Sequence, residues 1–169
     1  MLTDNPNSIT IRLFRFGGII MVDHVMIFSR GSQQVYLHQS QSHCNPKSRE
    51  QLQLFIIAKI MLESTQNGDV TPCRGLYNLT NSSVTDSPKV LMWHLSNTIG
   101  VVFVCDKSEN TILASNVLES VVLRVTALIN SSDIGTVMKQ PEDLQLILSR
   151  FLVNGRLVFY NHSLMNSTI

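Results

Sequence analysis

Charge is scarce in this chain. Only 15% of its 169 residues are Asp, Glu, Lys or Arg, against about 25% in an ordinary soluble domain. The 13 basic and 12 acidic residues leave a net charge of +1. That excludes a bulk electrostatic grip on nucleic acid, which needs clustered Lys and Arg to neutralise several phosphates. No nucleic-acid partner is expected. Cysteine is equally sparse: Cys44, Cys73 and Cys105 are odd in number and far apart, which excludes a disulfide framework and suits a reducing compartment. Long apolar runs are missing too. None reaches the roughly 18 uncharged residues of a membrane-spanning helix, so a soluble chain is expected. Residues 17–28 have the length of a signal-peptide core, but Asp23 and His24 interrupt them and no small-residue cleavage site follows. A glycine-rich phosphate loop is absent, since Gly17-Gly18 lacks both the spacing and the lysine.

Apolar residues are what the chain has in quantity, at 44%. A chain of this length buries about two thirds of its unfolded surface around one core. With so little charge, it carries more apolar face than one small domain needs, which predicts that a partner protein covers part of it.

Taken in order, residues 1–20 read as an N-terminal extension and residues 21–169 as one domain, with Met21 as an alternative start. Val22 to Ser29 has the pattern of a buried or half-buried strand; Arg30-Gly31-Ser32 supplies a turn and Gln33 to Gln39 a second strand. Asn45-Pro46 marks a helix start, with Asn45 as N-cap and proline at the first helical position. Leu54, Ile57, Ala58, Met61 and Leu62 follow at helical spacing, and Asn67-Gly68 stops the helix. Leu52, Phe55, Ile56 and Ile60 widen the stripe beyond one face, which predicts a helix held between two surfaces, the sheet and a second protein.

Residues 68–88 read as a surface loop with a weak strand at Gly75 to Leu79. Two strands follow, Lys89 to Leu95 and Ile99 to Cys105. After an Asp106-x-x-Glu109-Asn110 turn, Asn116 with Glu119 has the spacing of a capping box. It would open a helix through Val117, Leu118, Val121, Val122, Val125, Leu128 and Ile129. Pro141-Glu142-Asp143 opens the last helix, with Leu144, Ile147, Leu148, Phe151 and Leu152 on its face, Arg150 near its end and Asn154-Gly155 as its stop. Arg156 to Tyr160 is extended, and a short helix is expected to begin in the tail beyond Asn161.

Nothing here assembles an active site. His43-Cys44 invites a metal or nucleophile reading, yet no CxxC, HxxxH or HExxH spacing exists and His24, His38, His94 and His162 stand singly. Asp106 and Glu109 are better explained by turn chemistry than as a catalytic carboxylate pair. Asn-x-Ser/Thr sequons at Asn78, Asn81, Asn130, Asn161 and Asn166 have no meaning without a secretory signal. Trp93 reads as core or interface. No enzyme, metal or cofactor is expected.

The element order, strand, strand, helix, strand, strand, strand, helix, helix, is that of a longin-like α/β (α+β) domain, a five-stranded antiparallel sheet sandwiched between helices. Val90-Leu-Met-Trp93, Gly100, Asp106 with Glu109-Asn110, Leu113-Ala114, Leu148-Ser-Arg150-Phe151-Leu152 and Gly155-Arg-Leu-Val-Phe159 resemble the small (sigma) subunits of clathrin-adaptor-type complexes. The resemblance is closest to the sigma-subunit family of adaptor protein complex 5. It covers residues 89–162 well, and Met21-Val22 fits the family's start. Sigma subunits of the other four complexes carry a tyrosine and a basic residue where this chain has Trp93-His94, and a shorter spacing to the next strand.

The resemblance implies a non-enzymatic small subunit of a heterotetramer with two large subunits and one medium subunit. Such a complex acts in vesicle-mediated protein transport at late endosomes and lysosomes. Peripheral membrane association through the complex is implied, as are spatacsin and spastizin as further partners. The expected interface with a large subunit comprises Leu52, Phe55, Ile56, Ile60, Leu118, Val122 and Val125. The rival reading is a longin-type platform for a small GTPase or a SNARE; a SNARE would need a heptad helix and an anchor after the domain. A small hydrolase using Cys44 and His43 is the other.

Overall fold

A computed structural model describes residues 20–41, 46–68, 70–80, 87–131, 135 and 141–158. Its central strand is β5 (Ile99–Asp106), in which every residue but Asp106 is buried. Both faces of β5 are covered, so its sequence runs continuously apolar where a half-exposed strand would alternate. β1 (Val22–Ser29) pairs with it on one side and β4 (Lys89–Leu95) on the other, both antiparallel. β2 (Val35–Ser40) and β3 (Cys73–Leu79) close the five-stranded sheet as its edges, in the order β2-β1-β5-β4-β3. The mixed α/β architecture with this antiparallel sheet is the one the longin-like reading requires.

Helices cover the two faces. α1 (Pro46–Gln66) lies on one, where Leu52, Ile56, Ile57 and Ile60 pack with Met26, Phe28, Leu91, Trp93, Val102 and Val104. α2 (Thr111–Ser131) and α3 (Pro141–Ser149) cover the other. There Leu118, Val121, Val125, Leu144 and Leu148 pack with Val25, Ile27, Met92, Val101 and Phe103. Among the described helices α2 is long and apolar enough to cross a membrane over Thr111–Asn130. Its Ala114, Leu118, Val121, Val122, Val125 and Ile129 lie at helical spacing and are buried, which is the pattern of a core helix.

Several boundaries differ from the sequence reading. α2 begins five residues before Asn116, because Asn110 is the cap: its Oδ1 accepts from the Leu113 amide at 3.1 Å and its carbonyl accepts from Ala114 at 3.0 Å. Asn116 and Glu119 have capping-box spacing by coincidence and sit within the helix. α3 ends at Ser149, so Leu152 belongs to a strand and Arg150 to the turn after the helix. Asn154-Gly155 is therefore no helix stop. It is the two-residue turn joining β6 (Leu152–Val153) to β7 (Arg156–Leu157), with φ of 50° and 73°, the positive values a type I′ hairpin turn requires. This hairpin is fastened to the start of β1: Val22 N–H donates to the Gly155 carbonyl at 2.7 Å and Leu157 N–H to that of Ile20 at 2.9 Å. The extended reading of residues 156–160 holds for β7 and leaves Phe159 and Tyr160, like the tail helix, outside the described residues.

Candidate interaction site

The residues read from sequence as a partner interface lie elsewhere than on the surface. Leu52, Ile56, Ile60, Leu118, Val122 and Val125 are all buried, at 4% exposure or less, inside the two clusters that fasten the helices to the sheet. Phe55 is half-buried at the margin. Leu52, Ile56 and Ile60, read from sequence as the outward surface of α1, face the sheet together with Ile57. Leu54 and Leu62 are 63% and 54% exposed, and with Ala58, also exposed, they form one i, i+4, i+8 row. Half-buried Phe55 and Met61 flank that row. The expectation of a helix with two apolar surfaces stands, with the outward surface made by different residues. Branching separates most of them: Ile56, Ile57 and Ile60 face the pleated sheet, joined by Leu52, whereas the outward row is Leu and Ala.

The opposite face has a groove that sequence reasoning missed. α2 covers β4 and β5 but stops short of edge strand β3, whose Arg74, Leu76 and Asn78 are exposed. A cavity of about 280 Å³ opens between them, lined by Leu76, Met92, His94, Ser115 and Glu119 among others. Arg74 Nη1 and Glu119 Oε2 meet across it at 3.6 Å, an exposed pair contributing at most a few tenths of a kcal/mol. On the α1 side Cys73, Gly75 and Tyr77 of β3 are half-buried, and Lys59 Nζ sits 4.5 Å from the centre of the Tyr77 ring.

Two polar groups hold the sheet's other end. Lys89 Nζ lies 2.7 Å from Asp23 Oδ2 and 3.4 Å from Asp106 Oδ2. The Asp23 contact is a half-buried ion pair at the distance of a charge-assisted hydrogen bond. Burial pulls the Lys89 pKa down, but the hydrogen bonds and charges of Asp23 and Asp106 outweigh it and the net shift is upward. Beside them, His24 Nδ1 is 3.3 Å from His38 Nε2, and His38 Nδ1 is 2.7 Å from Gln53 Nε2. Burial, then the charges of His24 and Arg49, push His38 down to about 4. A neutral His38 accepts from the Gln53 amide and anchors α1 to β2.

Among the described residues the catalytic candidates form no site. Asp106 caps its own turn, accepting from Ser108 N–H at 3.0 Å and Ser108 Oγ–H at 2.8 Å; those bonds lower its pKa. Among the described residues no three metal-ligating side chains converge. His43, Cys44, His162 and the sequons at Asn81, Asn161 and Asn166 lie outside the described residues. Asn78 is exposed on β3 and Asn130 near the end of α2. Trp93 is 2% exposed and core; its indole lies over Gly75 on β3, where a Cβ would come within 2.6 Å of the ring.

No curated protein matches the chain. The profile of the family described as AP-5 complex subunit sigma-1 matches residues 23–168, a span that runs from the second residue of β1 past the β6–β7 hairpin. The chain belongs to the sigma-1 subunit family of adaptor protein complex 5 and is a small subunit of an adaptor complex of protein transport.

Proposed function

We propose that this chain is a non-enzymatic subunit that acts by packing against a large subunit of its complex, in vesicle-mediated protein transport at late endosomes and lysosomes. The observation that carries the packing is the outward row Leu54, Ala58 and Leu62 on α1. Apolar side chains aligned over two helical turns and flanked by Phe55 and Met61 are costly to leave in water and match the apolar core of an obligate interface. Leu52, Ile56 and Ile60 support this surface from beneath by fixing α1 to the sheet; Leu118, Val122 and Val125 do the same for α2, whose Ile112 and Leu123 point outward. The endosomal and lysosomal site of action, the peripheral membrane attachment through the complex, and spatacsin and spastizin as partners are proposed by analogy with the family that the chain resembles.

Co-purification tests the reading. A tagged chain expressed in cells is expected to recover the two large subunits and the medium subunit, with spatacsin and spastizin in gentle lysates. The double variant Leu54→Asp, Leu62→Asp is expected to lose at least nine tenths of the large subunit while melting at the parental temperature. Recovery of no adaptor subunit by the parent chain would sink the assignment.

A further inference from the structure

A second cavity, about 440 Å³, lies where β2, the first turn of α1, α3 and the β6–β7 hairpin meet. Its lining includes His38, Gln41, Arg49, Gln145, Ser149 and Asn154, and among the described residues the only charged group that lines it is a cation. The Arg49 Nε is buried and has no hydrogen-bond acceptor. A guanidinium N–H withdrawn from water without an acceptor carries an uncompensated desolvation penalty. The neighbouring side chains do not relieve it. Arg49 acts on His24 and His38 as a positive charge, and Asp23, the acid that acts on the same group, is taken up by Lys89 at 2.7 Å. The first turn of α1 carries no acid either, although a helix N-terminus favours one, and Glu50 next to Arg49 is solvent-exposed.

From this we infer that the Arg49 cavity is a binding site for a carboxylate group, supplied in the assembled complex by an Asp or Glu side chain of a neighbouring subunit. The inference rests on the subunit reading above for the source of the carboxylate, and on the cavity alone for its chemistry. One guanidinium with a free Nε–H matches one carboxylate, the pairing in which Arg donates two parallel hydrogen bonds. The amides of Gln41, Gln145 and Asn154 provide neutral donors around it. A dianionic phosphate would call for a second cation, and among the described residues none lines the cavity. The hairpin turn contributes shape: Gly155, whose φ of 73° favours glycine, packs against the Gln41 side chain just past β2 and completes the wall.

Two measurements test it. In the full chain labelled with ¹⁵N, acetate added at constant ionic strength is expected to shift the Arg49 Nε–Hε resonance saturably. The side-chain amides of Gln145 and Asn154 are expected to follow it, and to stop responding in Arg49→Gln. A response that is linear, or no larger than at the exposed Arg74, overturns the site; tighter binding of inorganic phosphate than of acetate overturns the carboxylate assignment. In the assembled complex, Arg49→Glu is expected to lower recovery of the partner subunits at least tenfold, and Arg49→Lys to fall between it and the parent, because an ammonium keeps the charge and loses the two parallel hydrogen bonds. Unchanged recovery with Arg49→Glu overturns the partner-supplied carboxylate, and loss with Leu54→Asp, Leu62→Asp in the same experiment shows that the docking of α1 survives it. A wild-type chain that recovers no partner refutes the subunit reading instead, and the acetate titration then decides the cavity by itself.

Discussion

The two faces of the sheet are covered by different means. On the α1 face a few large side chains are keyed into glycines of the neighbouring strand. Phe28 occupies the space over Gly100, its register partner, where a Cβ would come within 2.2 Å of the ring, and Trp93 lies over Gly75 in the same way. On the α2–α3 face many medium-sized aliphatic residues interdigitate around two buried aromatics, Phe103 and Phe151, neither of which lies against a glycine among the described residues. Close-packed aromatics on glycine leave little slack, so a single change there meets backbone or ring atoms that cannot yield. The aliphatic face spreads the same burial over two helices and the β6–β7 hairpin, and one lost methyl is shared among several neighbours. The face with the keyed aromatics is also the one whose helix presents an apolar outer row. A rigid mount beneath α1 suits a helix that has to hold a partner.

This contrast can be broken or sharpened by experiment. Phe28→Ala is expected to have the largest effect, about 3–5 kcal/mol by urea unfolding, because it empties a fully buried site. Gly100→Ala should follow at roughly 1–3 kcal/mol from overpacking. Combined with Phe28→Leu it should cost less than the sum of the two singles, a coupling that a double-mutant cycle reads directly; strict additivity would show that the ring and the glycine are not keyed. Val121→Ala on the other face, also fully buried, should fall below Phe28→Ala, and equal losses would remove the distinction between the faces. Asn110→Ala, which removes the α2 cap, is expected to cost about 1 kcal/mol.

The smallest effect is a pH dependence on the α1 side. His38 titrates near 4 in the folded chain against an ordinary 6.5, and burial also lowers His24. The unfolded chain therefore binds more protons between these values. Their contribution to stability is complete above about pH 6.5 and declines as the pH falls toward 4. Melting temperatures at pH 7 and pH 5 should show the decline, and His38→Gln should flatten it. A melting temperature that rises on acidification would contradict a neutral, hydrogen-bonded His38.

Much of this arrangement was legible in the residues. The apolar runs at Val22 to Ser29, Lys89 to Leu95 and Ile99 to Cys105, the proline-led starts at Pro46 and Pro141, and the turn at Asp106 to Asn110 each carry a local physical cause. Strand doublets and helices then follow in the order found. The weak strand at Gly75 to Leu79 was legible only in part, since β3 starts at Cys73 and alternates around half-exposed residues. Asn116 and Asn154-Gly155 misled for a shared reason. A capping box or an Asn-Gly pair states that a boundary is permitted there, and the competing Asn110 cap and the hairpin's pairing with β1 decided which boundary forms.

The carboxylate cavity had no sequence signal. His38, Arg49, Gln145 and Asn154 are far apart in the chain and meet only because α3 and the hairpin fold back onto β2. The groove beside β3 depends likewise on where α2 comes to rest over β4 and β5. By itself the sequence determined the fold class, the family and the presence of two apolar stripes on α1, because periodicity, capping and turn chemistry act between near neighbours. Tertiary structure decided which stripe meets the sheet. Leu52, Ile56 and Ile60 fit against Phe28, Trp93 and Val102 in a register that only the assembled sheet defines, and Leu54, Ala58 and Leu62 are left facing outward.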